Sequence, residues 1–207
     1  MKRNQTILTC LLCFIMMNLQ AKELKYLGVA VTNSVTALPF SGFPKLFHSQ
    51  FHPGITLSTG FNWTEKPKHN LMQSFKLGYL HHRFIQKSIM LYSEFGYRHK
   101  TTEKLGLSVA VGGGYLHMIP GDEQLRMNAE GDWEMIKLKS RPQALISISM
   151  GVDYQITDNG IRAFVRYQNM LQTPFVPGYV PLLPYNVFHL GATIPMKLIK
   201  KGGNNAQ

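Results

Sequence analysis

Beyond residue 21 the chain has no cysteine; both of its cysteines, Cys10 and Cys13, lie in an apolar N-terminal stretch. That excludes disulfides and thiol catalysis from everything that follows. Later runs are also too short or too polar for a membrane-spanning helix of about 20 residues, and none sustains a 3.6-residue period. Blocks of like charge are missing as well. Lys and Arg outnumber Asp and Glu by 22 to 11, giving +11 overall, yet no basic cluster is longer than Lys200-Lys201. Aromatic and basic residues do not interleave as in an RNA-binding sheet, so no nucleic-acid partner is expected. Phosphate-cradling loops and nucleophile elbows are absent, and no cofactor is implied.

What is present begins with an export signal. Met1-Lys2-Arg3 is a basic start, Ile7 to Met17 is an apolar core, and Leu19-Gln20-Ala21 supplies a small residue before a cut. Residues 1–21 read as a secretory signal peptide. Its removal takes away Lys2 and Arg3 and no acid, lowering the charge from +11 to +9. Residues 22–199 are expected to form one β-barrel and residues 200–207 a polar tail.

The mature chain alternates with period two, again and again. Leu27, Val29 and Val31 alternate with Gly28, Ala30 and Thr32; Ile55 and Leu57 with Thr56 and Ser58; Phe75, Leu77 and Tyr79 with Ser74, Lys76 and Gly78. The pattern recurs around Ile89–Tyr97, Leu105–Tyr115, Ile146–Tyr154, Ile161–Tyr167 and Phe188–Ile194. This makes eight strands of about nine to eleven residues, the length a tilted membrane strand requires. Long links (33–53, 119–141, 173–184) alternate with short ones (64–69, 99–104, 157–160), and the brief 84–87 link falls in the long set. Long connections therefore gather at one end, and an antiparallel all-β, up-and-down transmembrane barrel of about eight strands is expected.

Alternation alone also fits a soluble carrier barrel or a β-sandwich, so the two faces must be compared. The smaller face is rich in Gly, Ser and Ala, too slight for a solvated skin but suited to a crowded lumen. The larger face is almost uncharged, as lipid contact requires, because charge at the bilayer midplane costs about 2–4 kcal/mol. By this parity Gly112 and Gly114 face the lumen beside Glu94 and Arg98, while Gly113 interrupts the lipid face where a bend or bulge can form. Lys76, Glu94, Arg98, Asp153, Arg162 and Arg166 fall on the lumen face. Such confined charges should pair into a network, with a proton or ion path as the alternative use. On the larger face Trp63, Tyr97 and Tyr154 end the strands at the short-turn side, and Tyr79, Tyr115 and Tyr167 end them at the long-loop side. Two aromatic rings bounding an apolar band are what membrane interfaces select.

Taken together, these features resemble the small eight-stranded outer-membrane β-barrels of Gram-negative bacteria, the OmpX- and OmpW-type class. Phe51-His52-Pro53-Gly54-Ile55 and Tyr179–Pro184 also look like uncharacterised barrels of the Bacteroidota. Near the C-terminus, His189, Gly191, Ile194 and Met196 match the polar-x-Gly-x-x-apolar-x-apolar assembly signal of that class. Members usually stop at a terminal Phe, whereas this chain runs on to Gln207. The resemblance implies an outer-membrane location, with lipid, lipopolysaccharide and the barrel assembly machinery as partners and the loops as the place for an envelope protein partner.

Candidates for chemistry are sparse. His48, His52, His81 and His82 invite a metal reading, but no carboxylate stands at a ligating spacing. Ser88, His81 and Glu123 are the outer-side residues that a lipid A acylase- or deacylase-like enzyme would use, and no motif unites them. The loops 119–141, of mixed charge, and 174–184, rich in proline, remain as binding surfaces. The expected function is an envelope-structural or surface-binding barrel without open-pore transport or enzymatic activity. A lipid-modifying enzyme and a secreted soluble carrier are the alternatives.

Overall fold

The structure is a computed structural model that describes residues 23–82, 86–121, 124–128, 131–136, 139–175 and 181–199. The expected signal peptide (1–21) and polar tail (200–207) lie outside the described residues. Eight long strands close into one antiparallel barrel: β1 (Tyr26–Thr36), β2 (Pro53–Glu65), β3 (His69–His82), β4 (Gln86–Lys100), β5 (Leu105–Pro120), β8 (Arg141–Gln155), β9 (Arg162–Thr173) and β10 (Leu183–Pro195). Each strand pairs with its chain neighbour, and β1 meets β10 from Tyr26↔Pro195 to Thr36↔Tyr185 to complete the circle. A short helical turn, α1 (Lys45–His48), sits in the first long link. The second long link carries a separate hairpin, β6 (Gln124–Met127) with β7 (Trp133–Ile136).

The barrel is inside out by the standard of a soluble protein. Leu27, Val31, Ile55, Leu91, Val109, Val111, Ile146, Ile148 and Leu190 are exposed on its outer wall, whereas Lys76, Glu94, Ser147, Ser149, Gln168 and His189 are buried in its lumen. An apolar outer band on a closed sheet is the solution a bilayer demands, because every ladder hydrogen bond is made and no edge is left open. The faces fall as the alternation predicted.

Three expectations need correction. The strands run from 11 residues in β1 to 16 in β5, longer than the nine to eleven foreseen. β5 and β8 gain most of their surplus at the loop end, reaching Pro120 and Arg141, while β3 and β4 also lengthen at the turn end, to His69 and Lys100. The link 119–141, expected as a loop, carries a hairpin, since β6 and β7 pair from Gln124↔Ile136 to Met127↔Trp133. Finally, Gly113 makes no bulge: Ser93↔Gly113 and Gly113↔Ile146 keep their register. The one irregularity in β2 lies instead between Asn62 and Thr64, at Trp63.

Gly112 and Gly114 are required by close approach. A Cβ on Gly112 would stand 2.7 Å from the Glu94 Cα, and one on Gly114 would stand 2.5 Å from the Tyr92 Cα. Both are backbone atoms that cannot swing aside, so no larger residue fits without moving strand β4.

Candidate functional site

The lumen is layered. At its centre, Lys76 of β3 and Glu94 of β4 form an ion pair with side chains only 1% exposed. Glu94 is then held from across the barrel. Its Oε1 accepts from Ser147 Oγ (2.9 Å) and Gln168 Nε2 (2.7 Å), and its Oε2 accepts from Ser149 Oγ (3.2 Å). Gln168 Oε1 in turn meets His189 Nε2 at 2.8 Å and accepts from Tyr92 Oη at 3.4 Å. The Lys76 ammonium lies 5.5 Å from the centre of the Tyr92 ring. A buried carboxylate with this many donors is compensated, and β3, β4, β8, β9 and β10 are tied together through it.

Toward the short turns the lumen is charged and open. Asp153 accepts two bonds of 2.7 Å from the Arg98 guanidinium and a third from Arg162 Nε. Arg162 also donates to Gln155 Oε1 (2.9 Å) and to the Lys104 carbonyl (2.6 Å). Among the described residues Arg166 makes no hydrogen bond or close ion pair with either group; its guanidinium packs 5.3 Å from the centre of the Phe164 ring. The six lumen charges read from the sequence thus divide into a central pair, a triad at the turn end, and Arg166. A cavity of about 220 Å³ opens among Arg98, Arg162, Arg166, Ser58, Asn62 and Thr193.

Toward the long loops the lumen is apolar. Leu80, Met90, Leu116, Met118, Leu145, Met170, Leu183, Tyr185 and Val187 form one buried cluster, with Phe175 packed onto it. Glutamines lie among them: Gln86 Nε2 donates to Gln172 Oε1 at 2.7 Å, Gln172 donates to Gln143, and Gln143 Nε2 donates to the Pro174 carbonyl at 2.6 Å. Sequence reading passed over this plug. Its signal was the lumen parity carried upward, from Gly114 to Leu116 and Met118, and from Ser147 to Leu145.

The histidines divide. His52 and His82 face inward and stack with centroids 3.8 Å apart, His52 Nδ1 lying 3.1 Å from the Ser34 carbonyl. His48 lies in α1 on the first loop. Among the described residues no three His, Cys, Asp or Glu side chains gather as a metal site. Ser88 is buried on the lumen side, where Gln86 Nε2 donates to it at 3.0 Å. His81 occupies the opposite parity on the neighbouring strand, and Glu123 lies outside the described residues. These three are not brought together by the described structure.

On the outer wall Trp63, Tyr79, Tyr97, Tyr115 and Tyr154 are exposed. Tyr167 departs from the aromatic ring expected of it. It points outward but is only 8% exposed, because the link 37–48 folds down over it. Phe43 packs edge-on to Tyr167 with centroids 5.2 Å apart, and Leu46 is buried against Val35 and Tyr167. Asn33 of β1 donates to the Leu46 carbonyl at 2.7 Å, and Asn186 of β10 donates to the Ala37 carbonyl at 2.8 Å. Even so, Leu38, Phe40, Phe43 and Phe47 of the flap stay substantially exposed. Of the proposed assembly residues, His189 and Gly191 face the lumen, Ile194 faces outward, and Met196 lies just past β10 in a helical turn.

No protein-family model matches the sequence, and no curated protein sequence matches it. Solved structures do match the fold. Neisserial surface protein A aligns with a TM-score of 0.51 at 10% identity, over 83% of this chain and 95% of that one. The attachment invasion locus protein Ail of Yersinia pestis, solved with the heparin analogue sucrose octasulfate, aligns at 0.46 and 12% identity over 83% and 97%. The outer membrane enzyme PagL aligns at 0.46 and 12% identity over 84% and 99%. The likeness to the Neisserial protein is one of fold: a small, closed, eight-stranded transmembrane barrel.

Proposed function

We propose that this chain is an outer-membrane barrel of a Gram-negative cell that works as an envelope-structural and surface-binding protein, not as an open pore. The observation carrying this reading is the lumen plugged at its loop end. Eight strands leave room for side chains and little more, and here the loop end is occupied by the apolar cluster around Met90, Leu116 and Met170. Short turns, the start of β1 and the end of β10 sit at one end, which this reading assigns to the periplasm; the long links and the β6–β7 hairpin lie at the other. That hairpin presents Trp133, 65% exposed, and Met135, 71% exposed, a surface suited to an envelope partner. Lipid and lipopolysaccharide are the expected contacts of the outer wall, and the end of β10 is the segment the assembly machinery would read.

In planar bilayers the purified protein is expected to give no sizeable single-channel conductance. A stable nanosiemens-scale pore would overturn the reading. Heat-modifiable migration on a gel, with insolubility in the absence of detergent, separates it from a soluble carrier. For the lipid-modifying alternative, the described residues assemble no nucleophile with Ser88 or His81. Equal lipid A masses in cells with and without the chain are expected, and a gained or lost acyl chain would reverse the choice.

A further inference from the structure

The lumen's charges do not balance, and the imbalance lies at one place. Lys76 and Glu94 cancel. Arg98 and Arg162 share the single carboxylate of Asp153, leaving one positive charge over. Arg166 adds a second: among the described residues its guanidinium makes no hydrogen bond or close ion pair, packing on Phe164 and acting on Glu94 only through space. Both surplus charges line the same cavity of about 220 Å³ at the turn end, together with the hydroxyls of Ser58 and Thr193 and the amide of Asn62. Cations confined between low-dielectric walls repel one another and attract an anion strongly. A guanidinium is also the side chain best shaped to hold carboxylate or phosphate oxygens in a fork.

We propose that this cavity is a binding site for a small oxyanion, a phosphate or carboxylate group entering from the short-turn end. Arg166 supplies the unpaired fork, with its plane held by the Phe164 ring. Arg98 and Arg162, fixed by Asp153, supply the opposing positive wall, and Ser58, Asn62 and Thr193 supply neutral donors. Phosphate chemistry can arrive as a free ion or as a lipid headgroup, and the test separates the two.

The full mature chain, folded in zwitterionic micelles, is titrated calorimetrically with inorganic phosphate at constant ionic strength set by chloride. A parallel titration uses a soluble short-chain phosphatidate. Saturable phosphate binding is expected, and Arg166→Gln should weaken it about tenfold, the effect of losing one charged hydrogen-bonding partner. Thr193→Glu places an internal carboxylate directly across from Arg162 in the β9–β10 register. It should abolish binding and raise the melting temperature of the phosphate-free barrel, so the proposal stays testable even if Arg166→Gln folds poorly. A response to phosphatidate alone, lost in the same variants, supports the same site with a lipid headgroup as its source. Absence of saturable binding to either probe, or binding unchanged by both substitutions, overturns the proposal. Neither result depends on conductance or on lipid A masses.

Discussion

The two ends of the lumen are built from opposite materials. At the loop end, inward positions carry Met90, Leu116, Met118, Leu145 and Val187, while outward positions turn polar, with Lys87 and His117. At the turn end, inward positions carry Arg98, Asp153, Arg162 and Arg166, and the outer wall keeps the apolar Val109, Met150 and Val165. The same strands therefore invert their polarity along their length. Where lipid surrounds the wall, the hydrophobic side must face out and the lumen takes the polar groups. Where the strands rise above the bilayer into water, the ordinary rule returns and the apolar side chains move inside. One barrel thus serves two solvents, with the buried Lys76–Glu94 pair below the apolar cluster.

The contrast can be broken at that central pair first. Glu94→Ala leaves the Lys76 ammonium buried without its partner, and a loss of about 3–5 kcal/mol is expected in urea-driven unfolding. The double replacement Lys76→Met with Glu94→Leu should recover most of that loss, because it removes both charges together. At the loop end, Leu116→Ala opens a cavity in the dry cluster and should cost about 3 kcal/mol; salt should not change it. At the turn end, Asp153→Asn removes a largely buried but solvent-linked ion-pair partner and should cost about 2 kcal/mol, shrinking as salt is added. If Leu116→Ala proved as mild as Asp153→Asn, the loop end would not be the packed core described above.

The membrane-embedded part of this fold was legible in the sequence because lipid enforces period-two alternation there. Eight strands, their faces, and the lumen positions of Lys76, Glu94 and Asp153 all follow from parity once one face is known to meet lipid. Legibility fails where that constraint ends. Above the band, Leu116 and Leu145 are apolar residues on the lumen parity, so the same rule that located Glu94 hides them. Tyr167 occupies its expected face, yet sequence gives no hint that the link 37–48 folds onto it; that depends on hydrogen bonds between distant residues, Asn33 to Leu46 and Asn186 to Ala37. Arg162 and Arg166 look alike on paper, four residues apart on one face. Only the packed barrel separates the cation bound to Asp153 from the one with no hydrogen-bond acceptor among the described residues.

The flap over the outer wall has a consequence of timing. Its two anchors sit on the first and the last strands, Asn33 on β1 and Asn186 on β10. It spans the junction where the beginning and end of the chain meet, so its latch cannot engage until β10 has docked and the circle is complete. Whatever order the other strands adopt, this clasp is among the last contacts to form. For the same reason it is among the first that must release before the barrel can unzip along the β1–β10 line.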